Sequence, residues 1–259
     1  MKTASSPSTN EAEEKLDFKA MAPILVIVIV DLMGFTILIP LLPLYAAIFG
    51  ANELMIGILA ATYPLMQFIG APFLGQLSDR FGRRPILLIS QVGTFIGFLV
   101  LGFAGSLWML FLSRFIDGIS GANIVVAQAA ITDRTTAKTR TQGLGLIGAA
   151  FGVGFVVGPI IAFVALALSN DNYTLVAFIA AGFSLFSILL TWFWLDESLP
   201  PEKRGTTTTR RQAGFRMMLA AVRRPDIGFL LLLMFIQQFA FNGFEQFFAV
   251  FTLGRLGLD

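Results

Sequence analysis

Seven long apolar stretches alternate along the chain with short polar or glycine- and proline-bearing breaks, near residues 21–45, 55–77, 86–105, 107–130, 143–168, 174–195 and 227–251. A helix needs about 20 mostly apolar residues to cross the hydrocarbon core, so each stretch predicts one membrane-spanning helix. Only Gly105 and Ser106 divide the third from the fourth. Fusing them is the alternative, but the uncharged run from Ile86 to Ser113, continued past Arg114 to Ile131, is too long for one helix. Residues 1–20 are polar and lack the apolar core of a cleavable signal before the first stretch, which is therefore a retained span. The one long polar connection, 196–226, holds Pro200, Pro201, the Thr206–Thr209 run and a basic, apolar-interleaved piece over 214–224 that suits a short interfacial helix.

Charge orients these spans. The connections after the first, third and fifth carry no Lys or Arg. The alternate ones carry Arg80, Arg83 and Arg84, then Arg134, Lys138 and Arg140, then a further basic series from Lys203 to Arg224. The positive-inside rule makes the N-terminus cytoplasmic, as in a bacterial-type inner membrane, and seven spans leave Asp259 on the far side. A faint repeat links Tyr45–Gly50, with Asn52, to Thr252–Gly257, with Asp259, as though the seventh span began a second copy of the first.

Composition agrees. The chain is 56% hydrophobic and 13% charged, with a mean hydropathy of +0.79, too apolar for one soluble domain of this length. The apolar residues face lipid, and the bilayer is the first partner. Charge confined to short segments argues against a nucleic-acid partner. Without Cys or His, no thiolate or imidazole metal site, disulfide or histidine relay is available. No GxxxxGK[ST] phosphate loop is present, so active transport of a small molecule would draw on a gradient; no cofactor and no enzymatic activity are expected.

Ionisable groups within the spans are few: Asp31, Arg114, Asp117 and Glu245. Each costs about 2.5–3.5 kcal/mol or more at the bilayer centre when facing lipid, so they face a cavity or one another. Asp31 lies about 15 Å into span one by helical rise, near midplane, with no basic residue in its span; proton or cation coupling is its expected use. Pro40 and Pro43 bend the outer half of that span. Arg114 and Asp117, three apart, either neutralise each other or form a switch in which the Arg moves away and the acid takes a proton. Glu245, among Phe241, Phe244, Phe247 and Phe248 with Gln237, Gln238, Asn242 and Gln246, is either packing or a site for amphipathic solutes. Tyr63 and Gln67 in span two, beside Pro64, carry the same pair of readings, and Asn123 and Gln128 complete the cavity candidates. In span five Gly148, Gly152, Gly154 and Gly158 precede Pro159, a small-residue pattern that predicts close helix packing.

The run Gly75, Gln76, Leu77, Ser78, Asp79, Arg80, Phe81, Gly82, Arg83, Arg84, Pro85 resembles the signature loop between spans two and three of the major facilitator superfamily. Arg114, Gly118 and Ala122 are similar to the family's span-four motif, and Gly154, Gly158 and Pro159 to the span-five motif of its antiporters, although Ala162 and Phe163 stand where a glycine pair usually follows. Asp31, Gly34, Pro40 and Pro43 resemble span one of the twelve-span drug/proton exporters, the tetracycline-antiporter-like group.

The resemblance implies an all-α fold. Its parts are a cytoplasmic tail over 1–20, a six-span half over 21–195, a linker over 196–226, and over 227–259 the first span of an incomplete second half. It implies proton-coupled efflux of small amphipathic molecules by rocking of the two halves, with Asp31, Arg114 and Asp117 in coupling. Gly75, Asp79, Arg80, Gly82, Arg83 and Arg84 would form a gating loop, some of whose charge partners lie in the absent half. A nutrient symporter or uniporter, and a truncated chain that transports nothing or needs a separately supplied C-terminal half, are the alternatives. A seven-span retinal protein is disfavoured, since the last Lys is Lys203, in the linker.

Overall fold

The computed structural model describes residues 16–170, 172–205 and 223–256, by backbone only at Lys203, Pro225, Asp226, Asn242, Glu245, Gln246 and 247–256. Its helices are α1 Phe18–Leu38, α2 Leu41–Ile48, α3 Glu53–Phe81, α4 Arg83–Gly102, α5 Leu107–Ser120, α6 Asn123–Asp133, α7 Arg140–Ser169, α8 Tyr173–Trp194 and α9 Pro225–Leu256, with a 3₁₀ turn at Pro201–Lys203. Among the described residues, six continuous or paired helices are long and apolar enough to cross a membrane: Phe18–Ile48, Glu53–Phe81, Arg83–Gly102, Leu107–Asp133, Arg140–Ser169 and Tyr173–Trp194. The fold is all-helical and multi-pass, as the hydropathy pattern predicts.

Local chemistry sets the helix starts. Asp17 accepts the Ala20 N–H at 3.1 Å, Asn52 the Met55 N–H at 2.9 Å and Asn172 the Leu175 N–H at 3.1 Å; each side-chain oxygen satisfies one N–H that has no partner in the first helical turn. Span one breaks where Pro40 predicts, between Leu38 and Leu41. Gly82, at φ 109°, turns the chain from α3 directly into α4, a backbone conformation that side-chain-bearing residues rarely adopt.

Helix α1 packs against α7 and α8, α4 against α5 and α8, and α3 against α5. Two buried clusters fill the bundle. One joins Ile37, Leu59, Phe98, Leu101, Leu110 and Val176. The other joins Met21, Ile24, Ile27, Leu87, Val126 and Ile147, nearer the end that carries Arg83. Glycines bring backbones together between them: a Cβ on Gly70 would lie 2.2 Å from the Ile119 carbonyl oxygen, and one on Gly97 would lie 2.9 Å from Asp117 Cβ. Large apolar side chains such as Phe68, Phe163 and Phe193 remain on the outside, where lipid is their natural solvent.

Three expectations need amendment. The fourth stretch is two helices, α5 and α6, separated at Gly121 and Ala122. The span-five glycines divide: Gly154 and Gly158 are packed, whereas a Cβ on Gly148 or Gly152 would meet nothing within 4 Å. Among the described residues, nothing covers the face on which these two lie. The seventh stretch lies within α9, a continuous helix over Pro225–Leu256 that meets the bundle at α2. The linker ends at α9's first residue, Pro225, slightly earlier than expected. The N-terminal tail over 1–15, most of the expected interfacial helix (214–222) and the end of the repeat (257–259) lie outside the described residues.

Candidate functional site

The break in span four builds the centre of the site. When a helix stops at membrane depth its backbone groups need partners other than water, and side chains from two neighbouring helices supply them. Ser90 of α4 donates its hydroxyl to the Ser120 carbonyl and accepts the Ala122 N–H at 3.0 Å. Gln67 of α3 donates Nε2 to the Gly121 carbonyl at 2.7 Å and to the Tyr63 hydroxyl at 3.1 Å. The Tyr63 ring packs on Phe35 of α1, with centroids 5.0 Å apart.

Held this way, the first residue of α6 faces α1. Asn123 donates Nδ2 to Asp31 Oδ2. Asp31 Oδ1 and Asn123 Oδ1 are both buried without a hydrogen-bond partner. Among the described residues no Lys or Arg forms an ion pair with Asp31. Asp31, Tyr63, Gln67 and Asn123, all singled out in the sequence, thus converge around one helix break.

Arg114 and Asp117 form a separate pair. Nη1 of Arg114 lies 3.1 Å from Asp117 Oδ2, both side chains are buried, Nη2 donates to Ser113 Oγ at 3.0 Å, and the guanidinium sits 5.7 Å from the Phe98 ring centroid. The mutual-neutralisation reading therefore describes this structure. Gln91 Nε2 donates to Ser187 Oγ at 2.7 Å, a buried contact between α4 and α8 that the sequence reading missed. Gln128 is exposed on α6 and Gln238 is exposed on α9, while the side chains of Asn242 and Glu245 lie outside the described residues.

The span-five motif meets α1. A Cβ on Gly154 would come within 2.9 Å of Leu32 Cβ, and one on Gly158 within 2.1 Å of Thr36 Oγ1. Into that space Thr36 donates its hydroxyl to the Gly154 carbonyl at 2.7 Å. Pro159 is accommodated inside the continuous helix α7.

At the basic end, Arg83 organises the loop. Its Nη1 lies 2.6 Å from Asp79 Oδ1 and donates to Ser78 Oγ at 2.8 Å; its Nε lies 2.8 Å from Asp133 Oδ2, at the end of α6. Arg84 donates to the Thr191 and Trp192 carbonyls. The Ser78 hydroxyl returns to the Gly75 carbonyl at 2.7 Å. Arg80 is exposed, 5.2 Å from the Phe81 ring centroid. Beyond α8, Glu197 accepts the N–H groups of both Arg83 and Arg84. Asp133, Glu197 and two carbonyls of α8 thus give Arg83 and Arg84 partners within this part of the chain, beside whatever contacts the loop makes to a second half. Asp133 and Glu197 went unnoticed because nothing local marks a carboxylate 50 or 114 positions away as a partner.

Six helices long and apolar enough to span a membrane, a carboxylate within the first of them met by a broken helix, and a charge-knotted turn between the second and third define an integral multi-pass membrane protein. The chain belongs to the Major Facilitator Superfamily, whose sequence model matches residues 24–259. It is 43% identical to the class B tetracycline resistance protein of Escherichia coli over 177 residues, covering 67% of this chain and 43% of that one. To the class C tetracycline resistance protein of Escherichia coli it is 40% identical over 188 residues, covering 71% and 47%. The chain thus spans about half the length of the curated relatives it matches. The crystal structure of the human organic anion transporter MFSD10 (TETRAN) shares the fold, with a TM-score of 0.72 at 24% identity over 95% of this chain and 67% of that one.

Proposed function

We propose that the chain forms the N-terminal six-span half of a proton-coupled exporter of small amphipathic molecules, working by alternating access in a bacterial-type inner membrane with its N-terminus in the cytoplasm. Asp31 carries the proton, the Arg114–Asp117 pair adjusts it, and the turn from Gly75 to Arg84 gates the cytoplasmic end. Gly154, Gly158 and Pro159 hold α7 against α1. The second half of the pathway comes from sequence beyond these spans or from a separately made polypeptide.

The observation that carries this reading is Asp31: a midspan carboxylate whose hydrogen-bond partner is a neutral amide, with no cation paired to it among the described residues. A permanently charged carboxylate in that setting is costly unless a cation or proton visits it, and a visited carboxylate is what coupling requires. The relatives named for tetracycline resistance make a tetracycline the first probe.

Everted vesicles from cells making this chain together with the C-terminal half of the class B relative test the proposal. Tetracycline uptake that a pH gradient drives, a protonophore stops and Asp31→Asn abolishes is the expected result. Gradient-driven uptake unchanged in Asp31→Asn would remove Asp31 from coupling. Movement of solute and proton in the same direction would select a symporter, and no uptake with or without the added half would favour a non-transporting chain.

A further inference from the structure

Helix α4 has no side-chain cap from its preceding residue, which is Gly82. The first N–H groups of a helix have no partner within it, and here they are met from the segment that follows α8, the helix packed beside α4. Glu197 Oε1 accepts the Arg83 N–H at 2.8 Å, and Oε2 accepts the Arg84 N–H at 3.3 Å. The same carboxylate accepts the Leu199 N–H at 3.0 Å and lies 3.7 Å from Arg204 Nη2. Gly82 makes the room: a Cβ there would stand 2.2 Å from Glu197 Oε2. Glu197 belongs to the connection toward α9, and further ties hold that connection to the same place. Arg134 Nη2 donates to the Asp196 carbonyl at 2.7 Å, and the Gly205 N–H donates to the Asp79 carbonyl at 3.2 Å.

We propose that Glu197 is a positioning residue that caps α4 from the linker and straps residues 196–205 onto the α3–α4 turn, so that a pull along the linker is felt at Gly82 and Arg83. An anion at a helix N-terminus is favoured by both the free N–H groups and the helix dipole, and this one joins two segments 114 positions apart. The consequence for gating rests on reading that turn as the gate; the strap itself does not.

Hydrogen–deuterium exchange on the 259-residue chain in lipid nanodiscs tests it. Glu197→Gln keeps the volume but sets an amide NH₂ against two N–H donors. It should speed exchange about tenfold, the scale of a lost helix cap, in peptides covering 80–86 and 197–205 together, with α1 and α7 unchanged. Gly82→Ala, which displaces the carboxylate while leaving Glu197 in place, should give the same paired response. Arg83 and Arg84 amides as protected in Glu197→Gln as in the parent chain would overturn the strap, as would a response in only one of the two segments. Acceleration spread over every helix would also overturn it, since that marks general loosening. Paired acceleration with unaltered tetracycline transport would retire the gate reading and leave the strap standing.

Discussion

Asn123 donates its side-chain amide to the carboxylate of Asp31, 92 positions earlier in the chain, and it does so from the first residue of a helix that restarts at membrane depth. Without the break at Gly121 and Ala122, Asn123 would follow the register of α5. The break therefore decides what Asp31 touches, and Asn123 and Asp31 should respond differently to substitution. Asn123→Ala leaves a carboxylate oxygen without its donor and should lower stability by about 1–3 kcal/mol, read as thermal unfolding in detergent. Asp31→Asn should leave stability nearly unchanged, because an amide oxygen still accepts from Asn123, while stopping gradient-driven uptake. Equal loss of stability in both variants would contradict this division of roles.

Ser90 maintains the break. Ser90→Ala removes an acceptor of the Ala122 N–H and a donor to the Ser120 carbonyl at once; those two groups keep their bond to each other at 2.7 Å, so the loss of two side-chain bonds should cost about 1–3 kcal/mol in all. Gln67→Leu removes the donor to the Gly121 carbonyl and should cost less, because one backbone group is affected. Thermal unfolding of the two variants side by side checks the order.

The glycines of span five separate by neighbour. Gly158→Leu drives a side chain into Thr36 and should destabilise by at least the roughly 1–3 kcal/mol typical of overpacking. Gly148→Leu, with nothing within 4 Å of its Cβ position, should leave the stability of this chain unaltered. Thr36→Val should cost only about 0.6 kcal/mol, the average for an interhelical hydrogen bond in a membrane protein.

Arg83 contacts two carboxylates of unequal exposure: Asp133 is 20% exposed and Asp79 43%. Solvent weakens the second pair more. Double-mutant cycles should give a coupling of about 1–3 kcal/mol for Arg83 with Asp133 and under about 1 kcal/mol with Asp79. Added salt should erode the Asp79 coupling first.

The hydropathy pattern alone determined that the chain is helical and membrane-spanning, because the thickness of the hydrocarbon core imposes a length on each uninterrupted apolar run. Pro40 announced its own break, since a missing N–H is a property of one residue. Asp31, Tyr63, Gln67 and Asn123 stood out because polar side chains in such runs need a reason to be there. Which of them meet was decided only in three dimensions. The Ser120–Gly121 pair gave at most a weak hint of a break, because a glycine in a helical run is usually tolerated; Ser90 and Gln67, from two other helices, make this one stable. A small-residue stripe says that a helix can be approached, not from which side, so Gly154 and Gly158 found α1 while Gly148 and Gly152 found no neighbour. Gln128 and Gln238 carried the right chemistry for a cavity and are exposed in this part of the chain, because exposure depends on how helices are rotated against one another. The loop from Gly75 to Arg84 was legible as a charged turn. Its partners Asp133 and Glu197 were not, since only the packing of α6 and α8 beside α4 brings distant carboxylates to one end of the bundle.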